Sequence, residues 1–341
     1  MQSARWARAK AQSGRPVHPF WVSSEHGSGA VVVVIQPFSR DYAVGYVPWG
    51  PDVPVPPDGQ GLFLEELAET LRPRLPEEVL FLRFDLPWRS PFDLEVQEDE
   101  GERHFEPVAL PPAWVRSMRM NFGTHEHNLR KAPTDVQPTD TVLIDLDRPP
   151  TERLAAMKPK TRYNLRLAER RGVAVREDGP AGLEEWYALY RTTMERAGTT
   201  VHDIGHIERL LSVPDDAEVG IHLLTARYEG RALAGLVLAV AGDYALYLYG
   251  ASGDGERRRM PTYLLQWEAM RYARELGAHT YDLFGVPSDT SPGNPMHGLL
   301  RFKVGFGGHV VTRRGCWDYP FDPAAYEAVS GQELGAPGYH G

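Results

Sequence analysis

The sequence predicts an α/β protein built from two related units, and three observations carry that expectation. Both halves show the same order: a strand hairpin, a loop, a helix, then a strand that carries an aspartate and ends at proline. The two strand ends read Phe84-Asp85-Leu86-Pro87 and Tyr281-Asp282-Leu283-Phe284-Gly285-Val286-Pro287. At 341 residues the chain has material for one large core or two modest ones. A crevice between two such units is where a ligand is expected.

Taken in order, Trp6, Ala7, Ala9 and Ala11 with three cations mark a short helix over 2–13. Segments 30–36 and 42–48 read as paired strands around turn residues 37–41. Pro, Gly and Asp make 48–60 a loop. Phe63, Leu64, Leu67 and Leu71 follow at helical spacing, and 78–86 reads as a buried strand ending at Asp85 and Pro87. The region 95–107 is acidic and irregular, 111–120 a brief helix, 121–138 a polar loop, and 141–146 a strand before the break at Pro149-Pro150.

The second half opens with a basic helical stretch. Residues 152–176 hold eight cations against two anions, a net of +6, in a chain whose formal charge is −9. The overall charge argues against a surface that binds nucleic acid everywhere, but not against a local basic patch. Trp186, Leu189, Tyr190 and Met194 mark a helix, and 204–211 another. A hairpin joins 218–228 to 232–240 across Glu229-Gly230, 245–250 is a third strand, 261–276 a helix and 281–284 a strand.

Cys316 is the only cysteine, so neither an intrachain disulfide nor a cysteine-based zinc site is expected. His125 and His127 lack a recognisable third ligand, and no metal is expected. The longest aliphatic run, Val31-Val32-Val33-Val34-Ile35, is far too short to span a bilayer, and no apolar segment follows Met1. A cytoplasmic protein that visits a membrane surface is the expectation.

The segment of greatest chemical interest is His297-Gly298-Leu299-Leu300-Arg301-Phe302-Lys303-Val304-Gly305-Phe306-Gly307-Gly308. Its apolar residues suit a short helix that the glycines stop. A lysine held there is a fixed charge with three donors, which is what a phosphate or a developing oxyanion needs. The same pattern also fits a surface lysine with a buried stem. On the strand 245–250, Tyr247 and Tyr249 are expected on one face, as pocket lining or as half-buried packing. Glu256-Arg257-Arg258-Arg259-Met260-Pro261 precedes a helix but lacks the Gly-x-Gly spacing of a coenzyme A pyrophosphate loop. His202 and His206, four apart at or just before a helix, can share a face and are either site residues or surface histidines. Asp85 and Asp282 stand at predicted strand ends, as functional groups or as turn caps.

These residues, with Trp6-Ala7-Arg8-Ala9-Lys10, Tyr46-Val47-Pro48-Trp49-Gly50-Pro51, Leu82-Arg83-Phe84-Asp85 and Lys160-Thr161-Arg162-Tyr163-Asn164-Leu165-Arg166, resemble the Fem-type aminoacyltransferases of peptidoglycan cross-bridges. The matches run in order from residue 6 to about residue 321. The resemblance implies two domains of acetyltransferase-like (GNAT) topology with a cleft: 1–145 plus 306–341 on the acceptor side, and 146–305 carrying the catalytic lysine. It implies transfer of an amino acid, typically Gly, Ala or Ser, from aminoacyl-tRNA to the third-residue amine of UDP-MurNAc-pentapeptide or lipid II. No cofactor is implied, because the ester is already activated.

By the same resemblance, Lys303 stabilises the reacting carbonyl with Tyr249 beside it. Lys10 resembles a lysine that holds acceptor phosphate, Tyr247 a site tyrosine of the family and Asp85 an aspartate of its first domain; these and Arg301 are the expected substrate-binding residues. His202 and His206 fall where relatives place an arginine and a tyrosine on the nucleotide-sugar. Apart from the resemblance, the basic stretch makes Lys160, Arg162 and Arg166 the cations expected to grip the tRNA acceptor end. No long helical arm interrupts 180–220, as in the shorter form of the family. The competing readings are an acyl-CoA-dependent N-acyltransferase of similar fold and a non-catalytic protein that binds cell-wall precursor or tRNA.

Overall fold

The computed structural model describes residues 1–92, 96–99, 102–105, 110–199, 201–212, 219–291 and 293–333. The chain forms two compact units, one of residues 1–139 with the chain from Thr312 onward, the other Asp140–Val311. The boundaries that the resemblance implies lie at 145/146 and 305/306, six residues away at each point.

In the first unit, strands Val17–Ser24, Gly27–Pro37, Ala43–Val47, Val79–Arg89 and His309–Pro320 lie side by side in that order. All neighbours are antiparallel except Ala43–Val47 and Val79–Arg89, which run parallel. A parallel pair needs a crossover, and helix Gln60–Leu71 supplies it, burying Phe63, Leu64, Leu67 and Leu71 against Val31, Val33, Leu82 and Phe84. On the other face, helix Pro323–Glu333 sets Tyr326 against Phe81, Leu80 and Val44. The valine run is thus buried from both sides, which explains its unbroken apolar character.

Four expectations need correction here. The valine strand is the second of the sheet, not the first; Val17–Ser24 precedes it. That edge strand is only half-buried and carries His18, Pro19, Ser23 and Ser24, so its apolar signal is weak. The strand with Asp85 does not stop at Pro87 but runs to Arg89. It tolerates the proline at a bulge, where Pro87 and Trp88 together face Arg314. Within the acidic region 95–107, Val96–Asp99 pairs with Glu102–Phe105, and its other residues lie outside the described ones. The polar loop 121–138 contains one short strand, Arg130–Lys131.

The second unit repeats the plan. Its strands run in the order Asp140–Asp145, Thr280–Gly285, Tyr244–Ser252, Arg231–Ala241, Val219–Tyr228 and Ala174–Glu177, the last of them unanticipated. Again one pair is parallel, Tyr244–Ser252 with Thr280–Gly285, and again a helix between them, Pro261–Glu275, makes the crossover. The basic stretch is two helices, Pro150–Ala156 and Pro159–Arg170, each with a proline in its first turn, where the missing N–H costs nothing.

The period of two along Val219–Tyr228 shows how the faces are used. Ile221 and Leu223 pack with Trp186 and Tyr190 of helix Leu183–Ala197 and Ile207 of helix Ile204–Ser212. His222 turns the other way, onto Tyr272 of Pro261–Glu275. Helices therefore cover both faces, the layering of an α/β unit.

Candidate active site

Helix His297–Val304 delivers Lys303 to the interior of the second unit. Leu300 and Val304 are buried, and Phe302 and Phe306 form an aromatic cluster with Tyr263, with ring centroids 5.1 Å apart for Tyr263–Phe302 and Phe302–Phe306. The glycines that follow have a steric reason. Gly305 carries the carbonyl that accepts from the Lys158 amide at 2.9 Å, and a Cβ on it would meet Thr161 Oγ1 at 2.5 Å. Gly307 has φ +85°, and a Cβ there would lie 2.7 Å from the Ala156 backbone.

Lys303 is only 5% exposed, so the surface-lysine reading does not hold. Its Nζ donates to the Gly285 carbonyl at 2.7 Å and the Phe284 carbonyl at 3.2 Å, and sits 5.7 Å from the centre of the Tyr247 ring. Two of its three protons are thereby engaged. The third has no partner among the described residues, which leaves it for a ligand oxygen. Burial pulls the ammonium down from the usual lysine range to about 8, and the Asp282 carboxylate opposes that shift.

Asp282 holds this arrangement. Fully buried, it accepts from Thr141 Oγ1, from the Tyr244 hydroxyl, and from the Phe284 amide at 2.7 Å. Phe284 is held at φ +63°, a conformation costly for an aromatic residue, immediately where its carbonyl meets Lys303. Asp282 does not serve as a counter-ion for Arg301, which is exposed. Tyr281, its neighbour, donates to Gln266 at 2.8 Å.

The expected shared face of Tyr247 and Tyr249 is overturned. Leu238 pairs with Tyr247 and the adjacent Val237 with Tyr249, so Leu248 is an extra residue and the period of two breaks. Tyr247 faces Lys303 and Gln266, and burial pushes its phenol up to about 12. Tyr249 turns to the opposite face and joins Tyr190, His202 and His206. The two histidine rings stack at 5.2 Å, and His206 Nε2 lies 3.2 Å from the Tyr249 hydroxyl. Tyr187 donates to the His202 carbonyl at 3.0 Å. The i, i+4 pairing of the histidines is as the spacing suggests, but it belongs to the face away from Lys303.

In the first unit, Lys10 ends helix Ala4–Gln12 with its Nζ 5.0 Å from the Trp6 ring centre. Asp85 is buried in mid-strand and accepts from the Tyr46 hydroxyl at 2.7 Å. Burial raises its carboxyl to about 7, the Tyr46 bond pulling the other way. An unfolded aspartate ionises near 3.8, so between about pH 4 and pH 7 the folded chain holds more protons than the unfolded one. Stability from this group therefore falls as pH rises through that window. Asp85→Asn is expected to stabilise the chain at pH 8 relative to the parent by up to about 4 kcal/mol, seen as a higher thermal midpoint, with little gain at pH 4. Equal midpoint differences at both pH values would refute the buried, protonated carboxyl.

On helix Pro159–Arg170, Lys160 and Arg166 are exposed, whereas Arg162 turns back to cap the preceding helix. It donates to the carbonyls of Ala155 at 3.0 Å, Leu154 at 3.4 Å and Met157. Sequence reasoning placed Arg162 on the RNA side because charge patterning does not show which cation a neighbouring helix end will engage. It also missed Thr141 and Tyr244, single polar residues in apolar strands whose partner lies far along the chain.

The fold and this site define a tandem GNAT-like protein with a buried lysine at the end of a short helix in its second unit. The FemAB family model matches residues 1–221 and 221–332, and the chain belongs to the FemAB family. Curated relatives include the lipid II:glycine glycyltransferases of Staphylococcus epidermidis, 26% identical over 254 residues, and of Staphylococcus aureus, 26% identical over 259. These alignments take in 57% of this chain and 61% and 62% of the two relatives, so the chain spans about six tenths of their length. Among solved structures, FemX superposes with a TM-score of 0.75 at 18% identity, covering 96% of this chain and 94% of FemX. A tandem GNAT protein from the clavulanic acid pathway gives 0.50 at 13% identity over 91% of this chain and 84% of its own. At these identities the likeness is one of fold.

Proposed function

We infer that this chain is an aminoacyltransferase that moves a small amino acid such as Gly, Ala or Ser from aminoacyl-tRNA to the peptidoglycan stem peptide. The acceptor is the side-chain amine of the third stem residue in UDP-MurNAc-pentapeptide or lipid II, and repeated transfer builds an interpeptide bridge. The observation that carries this reading is the buried Lys303 with one free donor, in a chain of the FemAB family whose relatives are named glycyltransferases.

The chemistry matches what the site offers. The acceptor amine attacks the ester carbonyl, a C–N bond forms, and the carbonyl oxygen becomes an oxyanion. Collapse breaks the C–O bond, the tRNA ribose oxygen leaves with a proton, and the amine loses one. No metal or enzyme nucleophile is needed; proximity and oxyanion stabilisation suffice. Lys303 supplies the charge, with Tyr247 beneath it. Lys10, Asp85, Arg301, and the Tyr249–His202–His206 cluster are assigned to the acceptor. The first unit is assigned chiefly to precursor binding, and the second, apart from those residues, to the aminoacyl-tRNA. Work on such precursors places the protein in the cytoplasm with contact at the inner membrane face. None of the described helices is long and apolar enough to cross it.

The test is to incubate the chain with tRNAs charged with Gly, Ala or Ser and with each acceptor in turn, then weigh the product. A gain of one amino-acid residue in either acceptor is expected. Unchanged mass of both acceptors with every charged tRNA would overturn the reading.

A further inference from the structure

We propose that the outer face of helix Pro159–Arg170 is the docking platform for the single-stranded end of the RNA donor, with Tyr163 stacking on an unpaired base while Lys160, Arg166 and Arg170 hold the phosphates around it. This rests on the aminoacyl-tRNA reading above and adds to it a surface and a mode of recognition. The helix buries Thr161, Asn164, Leu165 and Ala168. Lys160, Tyr163, Arg166 and Arg170 fall within about 120° on the far side of the helix circumference. All four are exposed, and Tyr163 at 58% is far more open than a ring used for packing.

Two further observations point to a ligand. Elsewhere in this unit six surface arginines are matched with acids, Arg148 with Asp145, Arg191 with Glu195, Arg196 and Arg257 with Asp254, Arg271 with Glu268 and Arg274 with Asp147, while the exposed Arg231 and Arg301 stand singly on other elements. The side chains of Lys160, Tyr163, Arg166 and Arg170 have no hydrogen-bond or ion-pair partner among the described residues. In a chain of net charge −9, that is a local surplus of positive charge without internal use. The second observation is position. The helix begins where the Lys158 amide meets the Gly305 carbonyl, two residues beyond Lys303. Its 12 residues make a track about 18 Å long leading away from that end.

The chemistry of the face selects among anionic partners. A lone phenol between cations is a stacking platform with phosphate clamps, the combination that grips single strands without reading sequence. A helix that lies in a lipid surface needs an apolar stripe to insert. Here the residues of that kind, Leu165 and Ala168, face the protein core.

The test uses the full chain and two uncharged RNA hairpins, one with a four-nucleotide single-stranded 3′ tail and one blunt, with binding followed by fluorescence anisotropy at several salt concentrations. The tailed hairpin is expected to bind at least about tenfold more tightly, and Tyr163→Ala to lose about 10- to 100-fold on the tailed RNA alone, with Tyr163→Phe close to the parent. Arg166→Gln and Arg170→Gln are each expected to reduce the salt slope by about 0.7. Tailed-RNA binding that Tyr163→Ala leaves unchanged would overturn the proposal. So would equal binding to both hairpins, or binding through this face to phosphatidylglycerol vesicles but not to RNA. Because neither RNA is charged and no acceptor is present, this outcome is independent of transfer. Absence of transfer with tail-dependent binding intact would overturn only the catalytic reading, and transfer with Tyr163 dispensable only this one.

Discussion

Replacing Lys303 with methionine is expected to lower the rate of aminoacyl transfer by about 10²–10³-fold, the range for loss of one preorganised oxyanion donor. The chain should remain folded, and donor affinity should change much less than turnover. Methionine keeps the volume of the buried stem and removes the charge. The same substitution removes a cost, because the folded chain holds the ammonium at about 8 against an ordinary lysine value of 10.5. In that interval the unfolded chain binds more protons, so this group makes stability rise with pH between about 8 and 10.5. The price at neutral pH offsets part of what the Gly285 and Phe284 carbonyls lose when their donor goes. Activity should follow the charged form and fall as pH rises through about 8. Turnover of Lys303→Met within a factor of three of the parent would exclude the oxyanion role.

How much of this was legible in the sequence depends on the range of the interactions involved. The repeated order of strands and helices was readable because periodicity and turn residues are local signals. The strand pair closed by a crossover helix appears twice, through Gln60–Leu71 and Pro261–Glu275. Lys303 stands out in the sequence as a candidate because apolar and glycine neighbours set it apart, although its burial does not show there. The strand Val17–Ser24 was missed because an edge strand exposes one face and its composition passes for loop.

The tyrosine pair failed for a different reason. A period of two predicts a shared face only while the ladder is regular, and the extra Leu248 lies in a strand whose sequence, Tyr244-Ala245-Leu246-Tyr247-Leu248-Tyr249, gives no sign of a bulge. One inserted residue divides the residues expected to act together into two groups, Tyr247 with Lys303 and Tyr249 with His202 and His206. Asp282 was visible only as an aspartate near a strand end. Its partners Thr141 and Tyr244 come from two other strands, 141 and 38 residues away, which no local pattern encodes.

Asp282→Asn is expected to alter the pH profile of transfer as well as its rate. The carboxylate meets three donors: Thr141 Oγ1, the Tyr244 hydroxyl and the Phe284 amide. An asparagine keeps one acceptor oxygen and replaces the other with an NH2 group, so a hydroxyl such as that of Tyr244 must turn from donor to acceptor and a second amide proton needs a partner inside the buried site. A loss of about 1–3 kcal/mol in stability follows from leaving a buried polar group unpaired. The Phe284 amide is the group that fixes the turn at φ +63°, and the two carbonyls of that turn hold Lys303. Loosening it lets the ammonium drift from the reacting carbonyl. The lost negative charge acts separately, since Asp282 is the group that opposes the burial shift of Lys303. Without it the lysine gives up its proton more readily, and the falling limb of the pH–rate profile moves below about 8. Misplacement alone would lower the rate by the same factor at every pH. A profile with an unmoved limb, measured where circular dichroism shows the variant folded, would limit Asp282 to bracing the turn; a limb displaced to lower pH would make it the group that keeps the lysine charged.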